Sequence, residues 1–227
     1  MTSSALLSDA WLVIPLYNEG PVIADVVEQA RERFPNIVCV DDGSSDDSAD
    51  RAMQAGAVVV NHPINLGQGA ALQTGIRYVL EQTEGEYVVT FDADGQHQVM
   101  DAQAMVDLAK RDDVAIVFGS RFLDDRTKPG LMKRIVLKVA VAMTNRSTGL
   151  RLTDAHNGLR VIRRDAAAQL RLVQNRMAHA SEIVEQLGKT GLPWREYPVH
   201  VLYTDYSRAK GQSLLNSVNI LVDLLFK

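Results

Sequence analysis

Five short apolar runs punctuate the first half of the chain: WLVIPL (11–16), NIVCV (36–40), AVVV (57–60), EYVVTF (86–91) and VAIVFG (114–119). Each run is continuous rather than alternating, the pattern of a strand buried on both faces. The gaps between them read as helices. PVIADVVEQARERF opens with Pro21 at a first helical position and repeats Val22, Val26 and Ala30 on one face. SDDSADRAMQAG starts with capping residues and ends at Gly56, while GAALQTGIRYVLEQT and MDAQAMVDLAKRD fill the next two gaps. Strand, helix and strand at this spacing predict right-handed crossovers, hence an α/β/α sandwich with a mostly parallel central sheet.

Beyond residue 120 the pattern loosens. SRFLDDRTKPG reads as a loop and LMKRIVLKVAVAMTNR as a basic, partly apolar helix. HNGLRVIRRDAAAQL predicts a strand then a helix, HASEIVEQLGKTG a helix, and WREYPVHVLY a strand. The last fifteen residues, SLLNSVNILVDLLFK, set Leu214, Val218, Leu221 and Leu225 opposite Asn216, Asn219, Asp223 and Lys227. With no repeat, low-complexity tract or linker, residues 1–227 read as a single domain, divided near residue 120.

Composition narrows the function classes. A net charge of −4 argues against a general nucleic-acid binder. Cys39 is the only cysteine, so no internal disulfide is expected and a reducing compartment fits. MTSSALLSDA lacks the basic and apolar regions of a secretory signal, and no stretch approaches the roughly 18 apolar residues of a membrane span. A cytoplasmic location is the expectation.

Chemistry gathers where the runs end. PLYNEG, VDDGSSD, NHPINLGQGAA and FDADGQH follow the first four runs. Each alone is what turn chemistry also produces, but four on the carboxyl rim of a parallel sheet point to a ligand crevice. Asp92 and Asp94 are two apart, the spacing at which strand side chains share a face. Two adjacent carboxylates resist joint ionisation unless a cation joins them, and hard oxygen ligands suit Mg²⁺ or Mn²⁺ completed by a substrate's phosphates. Gln96 continues the alternation as a further oxygen ligand, whereas His97 reads first as a turn histidine. No Walker-type loop and no G-x-G-x-x-G after the first run support ATPase or dinucleotide chemistry.

VIPLYNEG, VDDGSSDDSAD, NLGQGAALQTGI, FDADGQH and VFGSRF, in that order over roughly residues 11–165, resemble the family 2 glycosyltransferases of GT-A (Rossmann-like) fold. The likeness is to the branch holding the dolichyl- and polyprenyl-phosphate sugar transferases. It implies a nucleotide-diphosphate sugar donor of GDP-mannose or UDP-glucose type, a divalent metal and an inverting transfer, with residues 11–120 as the donor half and 121–227 as the acceptor half. By position, Pro15, Tyr17 and Glu19 would line the nucleotide and Asp42 would read the base edge. Gly67 and Gly69 would let the backbone approach it closely; many relatives carry Lys between these glycines, where this chain has Gln68. Asp92 would touch ribose or metal, Asp94 and Gln96 would hold the metal, and Arg121 would neutralise the leaving diphosphate.

For the acceptor side, Asp154 is the candidate base if the acceptor is a hydroxyl, and only an orienting group if it is an already anionic phosphate. Asn157 and Arg160 match the region that faces the phosphates in relatives, and Arg208 and Lys210 lie in DYSRAKGQS, similar to a loop that closes over them. Arg121, Arg126, Lys128, Lys133, Arg134 and Lys138 against Asp124 and Asp125 form a basic stretch that suits anionic lipid. The terminal helix suits core packing, a membrane interface or a small membrane-protein partner; self-association is open. The expected role is transfer of a hexose to a polyprenyl phosphate, peripherally on the inner face of the plasma membrane. A hydroxyl acceptor in polysaccharide or lipid-linked glycan synthesis, a catalytically silent binding subunit and a nucleotidyltransferase are the alternatives.

Overall fold

The computed structural model describes residues 6–124, 141, 144–146, 148–176, 178–202 and 206. Seven strands form one sheet in the order β3-β2-β1-β4-β6-β5-β7. The strands are β1 (Ala10–Leu16), β2 (Asn36–Asp41), β3 (Val58–Asn61), β4 (Tyr87–Thr90), β5 (Ile116–Ser120), β6 (Arg160–Arg163) and β7 (Trp194–Pro198). All pairings are parallel except those of β6, which runs antiparallel to both β4 and β5. Strands β6 and β7, from the second half of the chain, therefore complete the sheet begun by the first.

Helices cover both faces. The helices α1 (Gly20–Arg31), α2 (Ser48–Gln54) and α4 (Val99–Arg111) pack on one side, burying Ile23, Val27, Ala52, Met105 and Val106 with Leu12, Ile14, Cys39 and Val89 of the strands. On the other side α3 (Gln68–Gln82), α5 (Arg164–Ala167) and α6 (His179–Lys189) bury Leu72, Ile76, Ala166, Ile183 and Leu187 with Val13, Val38, Val88 and Ile162. Alternate residues of one apolar run thus serve two cores, which is why the runs are continuous.

Two expectations are corrected. The run AVVV forms the edge strand β3, whose residues are exposed or half-buried, because β2 covers only one of its sides. In α1 the buried stripe is Ile23, Val26, Val27 and Ala30, so Val22 sits at its margin rather than in it. The basic stretch 126–138 and the terminal helix lie outside the described residues.

The sheet order sets the site. From β1 the chain builds outward through β2 to β3, then returns to the opposite side of β1 as β4. Such a reversal opens a crevice beyond the carboxyl ends of the two strands, and Glu19 and Asp92 follow those ends.

Candidate active site

The loops after β1 and β2 are stitched into one wall. Asn18, at a left-handed φ of 52°, donates its N–H to Ser44 Oγ at 2.9 Å and accepts Ser45 N–H on Oδ1 at 2.8 Å. Glu19 N–H donates to Ser48 Oγ at 2.8 Å and Gly20 N–H to Asp46 Oδ2 at 3.1 Å. Tyr206, from the far end of the chain, donates its hydroxyl to Glu19 Oε2 at 2.8 Å. Burial first, and then the Glu19 carboxylate, push the Tyr206 phenol well above its usual range, so it remains a donor. Pro15 is buried within β1 beside Val40, and Tyr17 stands exposed on the rim.

Asp42 is spent on its own chain. Its carboxylate accepts Leu66 N–H at 2.9 Å and Gly67 N–H at 2.7 Å, with His62 Nδ1 at 2.8 Å. It shapes the loop that leads into α3, and a base-edge contact would compete with these bonds. Asp41, one residue earlier, accepts Ser44 N–H on Oδ2, while its buried Oδ1 has no partner among the described residues.

The glycines of NLGQGAA answer to a different neighbour than the sequence suggested. A Cβ on Gly67 would collide with Asn175 O, and one on Gly69 with Gln174 O and His179 Cβ. Gly69 N–H donates to Asn175 O at 2.9 Å. The close approach that excludes side chains here is made by the protein's own segment 172–176. Glu182 on α6 holds that segment, accepting Val173 N–H at 3.1 Å and Gln174 N–H at 2.8 Å.

The cluster after β4 is built around Asp92. Gln68 Nε2 donates to its Oδ1 at 3.2 Å and His97 Nε2 lies 2.9 Å from its Oδ2. The carboxylate rests on Gly158, where any Cβ would strike it. Burial works against the charged form of Asp92, but the His97 hydrogen bond and the charges of His97, Arg160 and His179 outweigh it and hold the carboxyl below its usual range. Asp94 behaves oppositely. Burial, reinforced by the charge of Asp92, pushes it up to about 6, although Gln96 N–H donates to its Oδ1 at 3.0 Å. Gln96 is itself buried, and its carbonyl accepts Leu202 N–H at 2.9 Å.

This pair fits a divalent cation. Among the described residues no group of three His, Cys, Asp or Glu side chains surrounds a metal position. Two neighbouring carboxylates, one held ionised and one reluctant, form the half-shell that a cation and two substrate phosphate oxygens would complete.

Arg121 and Asp154 form the second charged centre. Arg121 Nε donates to Asp154 Oδ2 at 2.6 Å and NH2 to Oδ1 at 2.9 Å, and Arg121 N–H adds a bond to Oδ2 at 3.2 Å. The Asp154 side chain is fully buried; burial alone would raise its pKa, yet the Arg121 charge and bonds keep it low. Glu196 of β7 positions this turn by accepting the N–H groups of Thr153 at 2.8 Å and Asp154 at 3.2 Å.

Arg160 and Asn157 lie deeper than the sequence suggested, each almost entirely buried. Burial lowers the Arg160 pKa to about 10 against the pull of Asp92 and Asp154, and its NH2 has no partner among the described residues. Asn157 uses Oδ1 to accept Leu159 N–H at 2.8 Å, leaving Nδ2 buried without one. The fold therefore assembles Glu19, Gly67, Gln68, Gly69, Asp92, Asp94 and Gln96 on one rim, with Arg121 and Asp154 as a pair and Arg160 beneath the carboxylates. Arg208 and Lys210 lie outside the described residues. Gly158, Glu182, Glu196 and Tyr206 escaped sequence reasoning, because each matters through a partner outside its own motif.

Comparison with known proteins gives the family and the fold. The family model described as Glycosyl transferase family 2 matches residues 11–171. An uncharacterised protein of Methanocaldococcus jannaschii is 32% identical over 96% of this chain and 92% of its own length. The UDP-N-acetylglucosamine–dolichyl-phosphate N-acetylglucosaminyltransferase of Methanococcus voltae is 29% identical over 95% of this chain and 94% of its own. In fold, the chain is similar to glucosyl-3-phosphoglycerate synthase of Mycobacterium tuberculosis, solved with Mn²⁺, UDP-glucose and phosphoglyceric acid. The TM-score is 0.66 at 20% identity, covering 95% of this chain and 79% of that one. The chain belongs to the family 2 glycosyltransferases, and within them it is similar to the polyprenyl-phosphate sugar transferases.

Proposed function

We propose that this enzyme moves a sugar from a nucleoside-diphosphate donor to the phosphate of a polyprenyl-phosphate lipid, with inversion at the anomeric carbon. One observation carries the choice of acceptor. Asp154, the carboxylate a hydroxyl acceptor would need as base, is buried and engaged through both oxygens by Arg121. A phosphate acceptor is already anionic near neutral pH and needs no base. The name of the Methanococcus voltae relative, which specifies a dolichyl-phosphate acceptor and a UDP-linked donor, supports the same reading.

In this reading Pro15, Tyr17 and Glu19 line the nucleoside, and Asp92, Asp94 and Gln96 are the residues that would hold a divalent cation, Mg²⁺ or Mn²⁺. The bound cation would supply positive charge where negative charge collects on the departing nucleotide. An acceptor phosphate oxygen attacks the anomeric carbon from the face opposite the diphosphate. The new C–O bond forms as the old one breaks, and its electron pair leaves with the nucleoside diphosphate. The oxocarbenium-like transition state places the growing negative charge near Arg121, whose guanidinium Asp154 holds in place; donors fixed in advance in this way carry much of the rate enhancement in such sites. Asn157 and Arg160 support the phosphates from below, and Arg208 and Lys210 are the further basic residues assigned to them by the family resemblance. The strands β6 and β7 join the acceptor half to the donor sheet, which supports a single catalytic domain.

No helix among the described residues is long and apolar enough to cross a membrane. A lipid-phosphate acceptor places the reaction at the membrane surface, and we assign the enzyme a peripheral position on its cytoplasmic face. The test is product analysis by mass spectrometry, with Mn²⁺, a panel of UDP-, GDP- and dTDP-sugars and a short-chain polyprenyl phosphate. A lipid-phosphate-sugar product from one donor is the expected result. Donor turnover without that product would return the acceptor to a hydroxyl, and no turnover would favour a binding subunit.

A further inference from the structure

The donor rim is rich in acids and poor in available cations. Glu19, Asp41, Asp42, Asp46, Asp92 and Asp94 lie along it, whereas Arg121 is paired with Asp154 and Arg160 is buried. The position between the two glycines holds Gln68, whose amide is turned onto Asp92. A nucleoside diphosphate brings at least two negative charges to this rim, and neutral Gln68 offers them no counter-charge.

An exposed arginine arrives from a distant part of the chain. The side chain of Arg176 runs beside Gly67, its Cγ 3.5 Å from where a Cβ on that glycine would lie. Among the described residues its guanidinium has no hydrogen-bond or ion-pair partner, whereas exposed Arg51, Arg77 and Arg111 are each paired with an acid and Arg31, Arg171 and Arg195 donate to backbone carbonyls.

Its backbone, by contrast, is tied down. Arg176 O receives His179 N–H at 3.0 Å, and His179 Nδ1 lies 2.7 Å from the same oxygen. The preceding residues are fixed by Gly69 N–H on Asn175 O, by Glu182 on Val173 and Gln174, and by Leu172 N–H on Gln73 Oε1 at 2.6 Å. A segment with this many bonds holds the stem of an unpaired arginine beside Gly67, one residue from the side chain that touches Asp92.

We propose that Arg176 is a phosphate-binding residue of the donor site, contacting the diphosphate of the nucleotide and supplying from segment 172–176 the positive charge that Gln68 does not. This rests on the donor reading above and names a residue for it. A guanidinium suits the task because it stays charged at any working pH and presents paired N–H donors to phosphate oxygens.

Calorimetric titration of the full-length protein with UDP, GDP and uridine, in Mg²⁺, tests it with wild type, Arg176→Ala and Arg176→Lys at matched thermal midpoints. Arg176→Ala is expected to weaken the nucleoside diphosphate by roughly ten- to a hundredfold, the range for hydrogen bonds to a charged group, and to leave uridine unchanged. Arg176→Lys should recover part of the loss, and the loss should shrink as salt rises. Unchanged diphosphate affinity in Arg176→Ala, or equal loss for uridine, overturns the proposal while leaving the donor reading intact. A defect confined to the KM of a short-chain polyprenyl phosphate also overturns it, by moving Arg176 to the acceptor. Wild type that binds no nucleoside diphosphate overturns both.

Discussion

Asp94, half-buried, and Asp154, buried, are carboxylates of opposite character, and the difference lies in their neighbours. Asp94 faces another carboxylate and is pushed up to about 6; Asp154 faces a guanidinium and stays low. The variant Asp94→Asn is expected to lose metal-dependent turnover by about 10²–10³, the scale for removing one preorganised electrostatic group, and to keep its fold. Turnover assays with and without Mn²⁺, beside circular dichroism, check this; wild-type rates would overturn the proposed role of Asp94 as a metal ligand. Arg121→Ala strands the Asp154 charge in a fully buried position, and breaking a buried pair in that way costs roughly 3–5 kcal/mol. Arg121→Met with Asp154→Leu should regain most of that stability in urea unfolding while turnover stays lost. If the double variant is no more stable than Arg121→Ala, the pair is not the electrostatic unit the distances describe.

Among the elements, α6 has the largest consequence for the site. Its apolar stripe of Ile183, Val184 and Leu187 docks it on the sheet, and that docking brings Glu182 under the backbone of Val173 and Gln174. Glu182→Ala leaves those N–H groups without their acceptor, at a cost of about 1–3 kcal/mol. The donor KM should rise more than kcat falls, because segment 172–176 backs the glycines of the proposed donor loop rather than the reacting atoms. Steady-state kinetics check this, and a loss confined to kcat would count against it. Gly69→Ala should act in the same direction, since the new Cβ would meet Gln174 O.

Across the whole molecule, two half-buried groups make opposing contributions between pH 6 and pH 4. Burial lowers His156 from 6.5 to about 4, so the unfolded chain takes up a proton before the folded one does. Its contribution is fully present above pH 6.5 and is lost as pH falls toward 4. Asp94 is raised from 3.8 to about 6, so the folded chain takes up that proton first and gains stability over nearly the same interval. Metal-free wild type should therefore change its melting temperature only shallowly across this window. Asp94→Asn removes the compensating gain and should melt progressively lower than wild type's trend from pH 6 to pH 4. Parallel curves for the two proteins would mean that Asp94 is not raised.

Much of this was legible in the amino-acid order. Continuous runs such as WLVIPL and NIVCV dictated a parallel sheet buried on both faces, because each strand must fill two cores. The motifs FDADGQH and VFGSRF identified the carboxylate cluster and Arg121, since Asp and Arg at strand ends have few other uses in such number. What the order could not express was pairing. Whether Asp154 is a base or a clamp depends on Arg121, 33 residues away, and that separation is closed only when β5 and the turn before β6 meet. Gly67 and Gly69 stood out in the sequence, but the backbone that makes them necessary comes from segment 172–176, brought there by α6. Local patterning determined the strands, helices and residue types of this glycosyltransferase; long-range packing decided which charges stand alone and which are spent on one another, because electrostatic partnership is a matter of distance in space rather than along the chain.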